Sequence, residues 1–265
     1  MAQWAKIKFF WDTMLGSSGS TLTASSTESS ADYDVDYLYN MFETNLWKAE
    51  DSGLADPQYI TFDAGAGNTK DADYLAILGH NLNAAGATVT LQYSATGAWA
   101  GEEVDAFTGV APSADTAFLK EFTAPGGERY WRLKISGHGS TAPYMAICIW
   151  GEKTELDWAT SAFDPHQQKT VEKATVSYGG YLTGIHTQYT ERSMSLRFAD
   201  SDTVLYDKVK NWFETHGTKN LFVAWDTVNS PSEVFLMRPG GRFRNSFNRT
   251  GLYRNISISL TGRRE

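Results

Sequence analysis

Cysteine is almost missing from this sequence: there is one in 265 residues, Cys148. A single thiol makes no internal disulfide and no cysteine-based zinc site. Cys148 lies in the apolar run Tyr144-Met-Ala-Ile-Cys-Ile-Trp150, which predicts a buried, inert side chain. Long hydrophobic runs are missing too; none reaches the roughly 18 apolar residues of a membrane span. The first eleven residues, Met1 to Trp11, contain two lysines and lack the apolar stretch and cleavage site of a secretory signal. These absences predict a chain made in a reducing cytoplasm, without membrane insertion. Catalytic signatures are missing as well. No GxxxxGK[ST], no GxSxG and no GxGxxG ahead of a helix occurs. The five histidines, His80, His138, His166, His186 and His216, are not spaced as metal ligands on one element. The sequence predicts no enzyme, no catalytic residue and no cofactor.

What is present is a globular composition, 42% hydrophobic and 14% aromatic, which excludes wholesale disorder. The net charge of −8 is unevenly spread. Residues 1–155 hold 9 Lys and Arg against 20 Asp and Glu, whereas residues 156–265 hold 14 against 11. Seven arginines and one acid lie from Arg238 to the end. This polarity predicts opposite-signed surfaces that meet, within a subunit or between subunits. An acidic first half repels phosphate, so nucleic acid is not the expected partner.

The chain reads as all-β. Residues 4–11 alternate weakly as a first strand. Residues 16–30 are rich in serine and threonine and predict an extended or poorly ordered surface segment. Alternating or short apolar runs follow at Gln58–Asp63, Tyr74–Leu78, Ala87–Ser94, Ala117–Phe122, Arg129–Ile135 and Tyr144–Trp150, with glycine-rich turns between them. A linker is expected over 156–170. Beyond it, Val171–Tyr178 and Tyr181–Tyr189 flank Gly179-Gly180 as a hairpin, and Arg192–Ala199 turns Met194, Leu196 and Phe198 to one face. Residues 202–216 change period. Leu205, Val209, Trp212 and Phe213 share a helical face, Ser201 or Asp202 can cap the start, and Gly217 can end it. Strands resume at Leu221–Trp225, Glu233–Arg238 and Leu252–Leu260. The expected organisation is a β-sandwich over 1–155 and a smaller β-barrel with one packed helix over 171–265.

Three groups of residues stand out. Asp32, Asp34 and Asp36, with Glu43 beyond, approach the spacing of a calcium loop, but Tyr37 occupies the position where such a loop turns on glycine, and an acidic turn before a helical Tyr37–Phe42 is the plainer reading. Trp47, Trp99, Trp131 and Trp150 supply ring faces that suit sugars. Trp131 and Trp150 fall inside strand runs and read as core, which leaves Trp47 and Trp99 as the carbohydrate-binding candidates; a tryptophan packed under its loop is the alternative for both. Arg238, Arg242, Phe243, Arg244 and Arg249 interleave charge with aromatic surface. That pattern fits an oligomer or partner contact, or an edge strand guarded by arginine.

Several stretches resemble known families. Asn40-Met-Phe-Glu-Thr-Asn-Leu-Trp-Lys-Ala49, Tyr59-Ile-Thr-Phe-Asp-Ala-Gly65, Tyr74-Leu-Ala-Ile-Leu-Gly-His-Asn-Leu82, Val89-Thr-Leu-Gln-Tyr-Ser94 with Trp99, Tyr130-Trp-Arg-Leu-Lys-Ile135 and Ile147-Cys-Ile-Trp-Gly151 resemble, in order, the strands of discoidin-like domains. The resemblance covers about 110 residues and implies a jelly-roll sandwich of the galactose-binding-like type. The terminal cysteine pair of secreted members is missing, as in a phage or bacterial version. Residues 171–265 are similar to the split-barrel domains of siphophage tail and baseplate proteins, such as distal tail proteins. That likeness implies a virion protein that forms a homo-oligomeric ring and binds other tail or baseplate proteins, tail tube and hub among them. It makes Leu221–Trp225 and Glu233–Phe243 the expected edge strands of the ring contact. The resulting expectation is a structural component of a phage tail tip whose sandwich contacts host glycan. A carbohydrate-binding adhesion module is the alternative, and a glycan-active enzyme a more distant one.

Overall fold

The computed structural model describes residues 4–160 and 163–263. The chain forms two compact units, Phe10–Thr154 and, in the other, Met1–Phe9 with Glu155–Glu265. The first residues therefore belong with the C-terminal part and not with the sandwich that follows them. Among the described residues the architecture is all-β with one α-helix. Strand β1 (Lys8–Phe10) precedes the sandwich unit.

The sandwich unit has a five-stranded antiparallel sheet. Its strands are β2 (Thr21–Ala24), β4 (Gln58–Asp63), β6 (Thr88–Ser94), β7 (Val104–Asp105) and β9 (Tyr130–Ser136), in the order β2-β4-β9-β6-β7. A second sheet of β5 (Tyr74–Leu78), β8 (Phe118–Glu121) and β11 (Ile147–Gly151) has the order β11-β5-β8. The short β3 (Trp47–Lys48) and β10 (Tyr144–Met145) pair with each other. Period-two alternation sends Ile60, Phe62, Leu91, Trp131, Leu133 and Ile135 inward, where they pack with Leu75, Ile77, Cys148 and Trp150 of the second sheet. The apolar run Tyr144–Trp150 is not one strand. The Ala146 N–H points at the carbonyl oxygens of both Leu78 and Gly79, and the chain changes partner there, from β3 to β5.

The serine- and threonine-rich segment is ordered where it pairs. Thr21–Ala24 lie against Asp63–Ile60 of β4, and the hydroxyls of Ser25 and Ser26 donate to Gln58 Oε1 at 2.6 and 2.8 Å. The acidic turn forms a 3-10 helix, Val35–Tyr39, capped by Asp34, whose Oδ1 accepts from the Asp36 N–H at 2.9 Å.

The other unit contains β12 (Thr154–Glu155), β13 (Gln168–Val176), β14 (Leu182–Ser201), α1 (Thr203–His216), β15 (Leu221–Ala224), β16 (Val234–Phe247) and β17 (Arg254–Arg263). The sheet order is β12-β1-β15-β16-β17-β14-β13. Asp202 caps α1, its Oδ1 accepting from the Leu205 N–H at 2.9 Å, and Gly217 ends it at φ 67°. Leu205, Val209 and Trp212 are buried, and Trp212 meets Phe9 with ring centroids 4.9 Å apart. Leu221–Ala224 lies between β1 and β16 and is not the free edge expected of it, whereas β16 changes partner along its length, Val234–Met237 pairing with β15 and Phe243–Phe247 with β17. The long free edge is β13. Two runs that read as separate strands, Tyr181–Tyr189 and Arg192–Ala199, are one continuous 20-residue β14. Among the described residues no helix is long and apolar enough to cross a membrane.

Candidate functional site

The outer face of the five-stranded sheet gathers side chains that alternation turns away from the core. Register aligns Thr61, Arg132, Gln92 and Asp105 in one row across β4, β9, β6 and β7. Arg132 Nε donates to Gln92 Oε1 at 2.7 Å, and Gln92 Nε2 donates to Asp105 Oδ1 at 2.6 Å. A terminal nitrogen of Arg132 lies 3.6 Å from Glu103 Oε1. The guanidinium also sits between two rings, 4.4 Å from the centroid of Tyr59 and 4.2 Å from that of Trp99. These neighbours cover a charge that sheet position alone would leave in water, and Arg132 is only 9% exposed.

The loop that carries Trp99 is built around carboxylates. Glu102 Oε1 accepts from the Ser94 hydroxyl, from Thr96 Oγ1 at 2.7 Å and from the Ala98 N–H at 3.0 Å. Those donors, Ser94 first, hold the Glu102 carboxyl at about 2. Ser94 Oγ in turn accepts from the Gly97 N–H at 2.7 Å. The backbone N–H groups of Glu103 itself and of Gly101 hold the Glu103 carboxyl below the usual range. Trp99 stands at φ 60°, a left-handed backbone that a bulky residue enters only at a cost. The loop's hydrogen bonds maintain that conformation, and it leaves the Trp99 ring half-buried over Arg132.

The arrangement offers a partly open indole face, a buried cation that stiffens it, and carboxylates at its rim. Aromatic faces pack against the apolar faces of sugars, while fixed polar groups read hydroxyls. Of the two tryptophans proposed for this role, only Trp99 is at the surface. Trp47 is fully buried, and its Nε1 is within hydrogen-bonding distance of Ser26 O (3.2 Å) and Thr27 Oγ1 (3.3 Å), so it is a core residue and has no face to offer a ligand. Trp131 and Trp150 are also fully buried. Sequence reasoning missed Tyr59 and Arg132. Their signal was the alternation itself, since Trp131 and Leu133 point inward and Arg132 must point out.

The other candidates separate. Asp34 caps the 3-10 helix while Asp32 Oδ2 accepts from Ser30 Oγ at 3.0 Å, so the carboxylates of the acidic turn serve different local contacts. Among the described residues no group of three His, Cys, Asp or Glu side chains could hold a metal ion, and Asp32, Asp34 and Asp36 do not converge on one. Arg238, Arg242, Arg244 and Arg249 are exposed on or beside β16. Phe243 is not part of that surface. It packs under α1, with its ring centroid 5.8 Å from Phe213 and 6.3 Å from Tyr206. Cys148 is buried, and burial pushes its thiol well up.

No protein-family model matches the chain, and no curated protein does. Solved structures do. A GH29 fucosidase from Ruminococcus gnavus, in complex with fucose, matches with a TM-score of 0.45 and 13% identity, over 56% of this chain. The chain spans only 28% of that enzyme's length. CpGH89CBM32-5 from Clostridium perfringens, in complex with GalNAc-β-1,3-galactose, matches with a TM-score of 0.41 and 14% identity, over 50% of this chain and 95% of its own. Chitosan-binding module 1 of a chitosanase/glucanase from Paenibacillus sp. IK-5 matches with a TM-score of 0.41 and 18% identity, over 52% and 98%.

Proposed function

We propose that the sandwich unit is a carbohydrate-binding module and that it uses the outer face of its five-stranded sheet. One observation carries the reading. Trp99 is held at φ 60°, against the preference of its backbone, with its ring stacked on an Arg132 that Tyr59 backs from another side. A loop that only needed to close would place glycine there, as it does at Gly97 and Gly101. The ligand class is a neutral or cationic glycan, because the rim carboxylates of Glu102 and Glu103 repel an anionic one. The test is a glycan-array screen with the whole chain and with Trp99→Ala. The expected result is binding by the parent and loss of at least about ten-fold in the variant, with an unchanged far-ultraviolet spectrum. A parent that binds no glycan, or a variant that binds as well as the parent, overturns the proposal.

A second reading has its own support. The unit that carries α1 extends a hairpin whose two faces are both bare, which suits a structural subunit, of the phage tail-tip kind, that assembles with other copies. Neither reading requires chemical turnover.

A further inference from the structure

The helix-bearing unit carries both a knob and a hole. The hole is a cavity of about 200 Å³ lined by Trp4, Ala5, Ile7, Trp158, Phe163 and Trp225 among others. Trp4 and Trp225 meet edge to face at 5.5 Å, and Trp4 and Trp158 are 59% and 46% exposed. Its polar atoms are already used. Trp158 Nε1 donates to the Trp4 carbonyl at 2.8 Å, Trp225 Nε1 donates to Glu233 Oε2 at 2.6 Å, and Thr160 Oγ1 donates to the Arg197 carbonyl at 2.9 Å. The cavity therefore presents ring surface and few free donors, which disfavours a sugar. Lys6 Nζ already stands 4.9 Å over the Trp158 ring, which disfavours a cationic ligand. An uncharged aromatic group of about one side chain is the matching occupant.

The knob is the tip of the β13–β14 hairpin. Among the described residues, pairing of β14 with β17 starts only at Glu191, and Leu182–Thr190 of β14 has β13 as its partner strand. Nine residues at about 3.3 Å each make an arm of roughly 30 Å. Nearly every residue of the arm is exposed, on both faces. Tyr178, Tyr181 and Leu182 stand at the tip, 111%, 77% and 57% exposed, and Val176 and Ile185 flank them at 56% each. A two-stranded hairpin alone is marginal in water, and a cluster of bare apolar side chains marks a contact surface.

We propose that the tip of one copy, through Tyr178 or Tyr181, seats in the tryptophan cavity of a second copy of this chain. Every copy offers one knob and one hole. The chemistry agrees: the tip from Val176 to Leu182 carries no charged residue and bares two tyrosine rings, as a cavity of ring surface with Lys6 already over Trp158 requires. Such a contact is head-to-tail, so it closes into a ring or runs on as a filament. The proposal goes beyond glycan binding, and it rests on the subunit reading, for which it names the contact.

The test is sedimentation velocity on the whole chain over a range of concentrations. Three samples are compared with the parent: the tip variant Tyr178→Ser/Tyr181→Ser, the cavity variant Trp158→Ala, and an equal mixture of the two. The tip side chains are largely exposed and Trp158 is about half-buried, so circular dichroism first checks that both variants keep the parent's fold. The expected result is a self-associating parent, association weakened roughly ten-fold or more in each variant, and a one-to-one heterodimer in the mixture, because each variant keeps the half that the other lost. If the parent associates and the tip variant associates equally well, or the mixture stays monomeric, this contact is wrong and the subunit reading survives. A parent that stays monomeric at every concentration overturns both.

Discussion

Arg132→Met tests whether the outer face of the sandwich is the prearranged site described above. Methionine keeps the apolar stem in place and removes the guanidinium. The charge-assisted bond to Gln92 at 2.7 Å is worth ~2 kcal/mol. The two ring contacts, at 4.4 and 4.2 Å, add ~1 kcal/mol together. The Glu103 pair is 3.6 Å long with a carboxylate side chain 30% exposed, so solvent screens it and it adds little. Relief of the desolvated charge returns ~1 kcal/mol, which leaves a net cost of ~2 to 2.5 kcal/mol. For a unit of this size that lowers the melting temperature by about 4–10 °C. Calorimetry on the whole chain reads the shift. The variant also frees the Trp99 ring, so glycan binding falls further than the stability change explains. A double-mutant cycle with Trp99→Ala isolates the ring contact, with an expected coupling of ~0.5 kcal/mol. A cost below ~0.5 kcal/mol for Arg132→Met, or strictly additive costs in the cycle, would show that Arg132 does not hold Trp99, and the argument from the strained loop would fail with it.

Two further outcomes follow from local geometry. The Glu102 carboxyl sits at about 2 in the folded chain against 4.5 for a free glutamate, so its hydrogen bonds stabilise the loop fully above pH 4.5 and are lost as pH falls through about 2. Nuclear magnetic resonance of the Trp99 indole should therefore show the loop loosening only in that acidic window. Glu102→Gln should loosen it already at neutral pH and abolish the acid transition; an indole signal insensitive to both would refute the role given to Glu102. Asp202→Ala removes the cap of α1 and should cost ~1 kcal/mol in the helix-bearing unit, read by urea denaturation, while glycan binding by the sandwich stays unchanged.

Much of the sandwich is legible in the sequence because its strands are half-buried and alternate. Gln58–Asp63 and Tyr74–Leu78 have the same ends in sequence and structure. The helix is equally legible, since period, cap and stop all agree over Asp202–Gly217. The misreadings share a cause: pairing partners are not local. β14 reads as two strands because its exposed half and its buried half differ in composition, yet one backbone runs through both. β16 reads as one edge strand because arginines line it, yet its first four residues pair with β15 and its arginine-bearing half with β17, and the long outer strand of the sheet, β13, carries less conspicuous residues. Trp47 lies beside a loop in sequence and in the core in space, because β3 pairs with β10 almost a hundred residues later. The Trp99–Arg132–Tyr59 stack joins three elements and is invisible until the register is known.

The two candidate contact regions are the places where local rules are broken. Trp99 takes a backbone conformation suited to glycine, in a loop that has glycines to spare. Tyr178 and Tyr181 stand in full solvent at a tip where Gly179 and Gly180 already make the turn, so the turn itself gives them no purpose. Trp158 lies in a stretch that reads as linker, where a small polar side chain would serve. By contrast, the residues that stood out for composition alone, Trp47 and Phe243, obey the rules: one fills a core, the other packs beneath a helix. Natural sequences agree across levels except where function intervenes. That criterion supports the ligand face proposed for the sandwich and the assembly contact proposed for the helix-bearing unit. The two roles are separable: Trp99→Ala should leave self-association intact, and the tip variant should leave glycan binding intact.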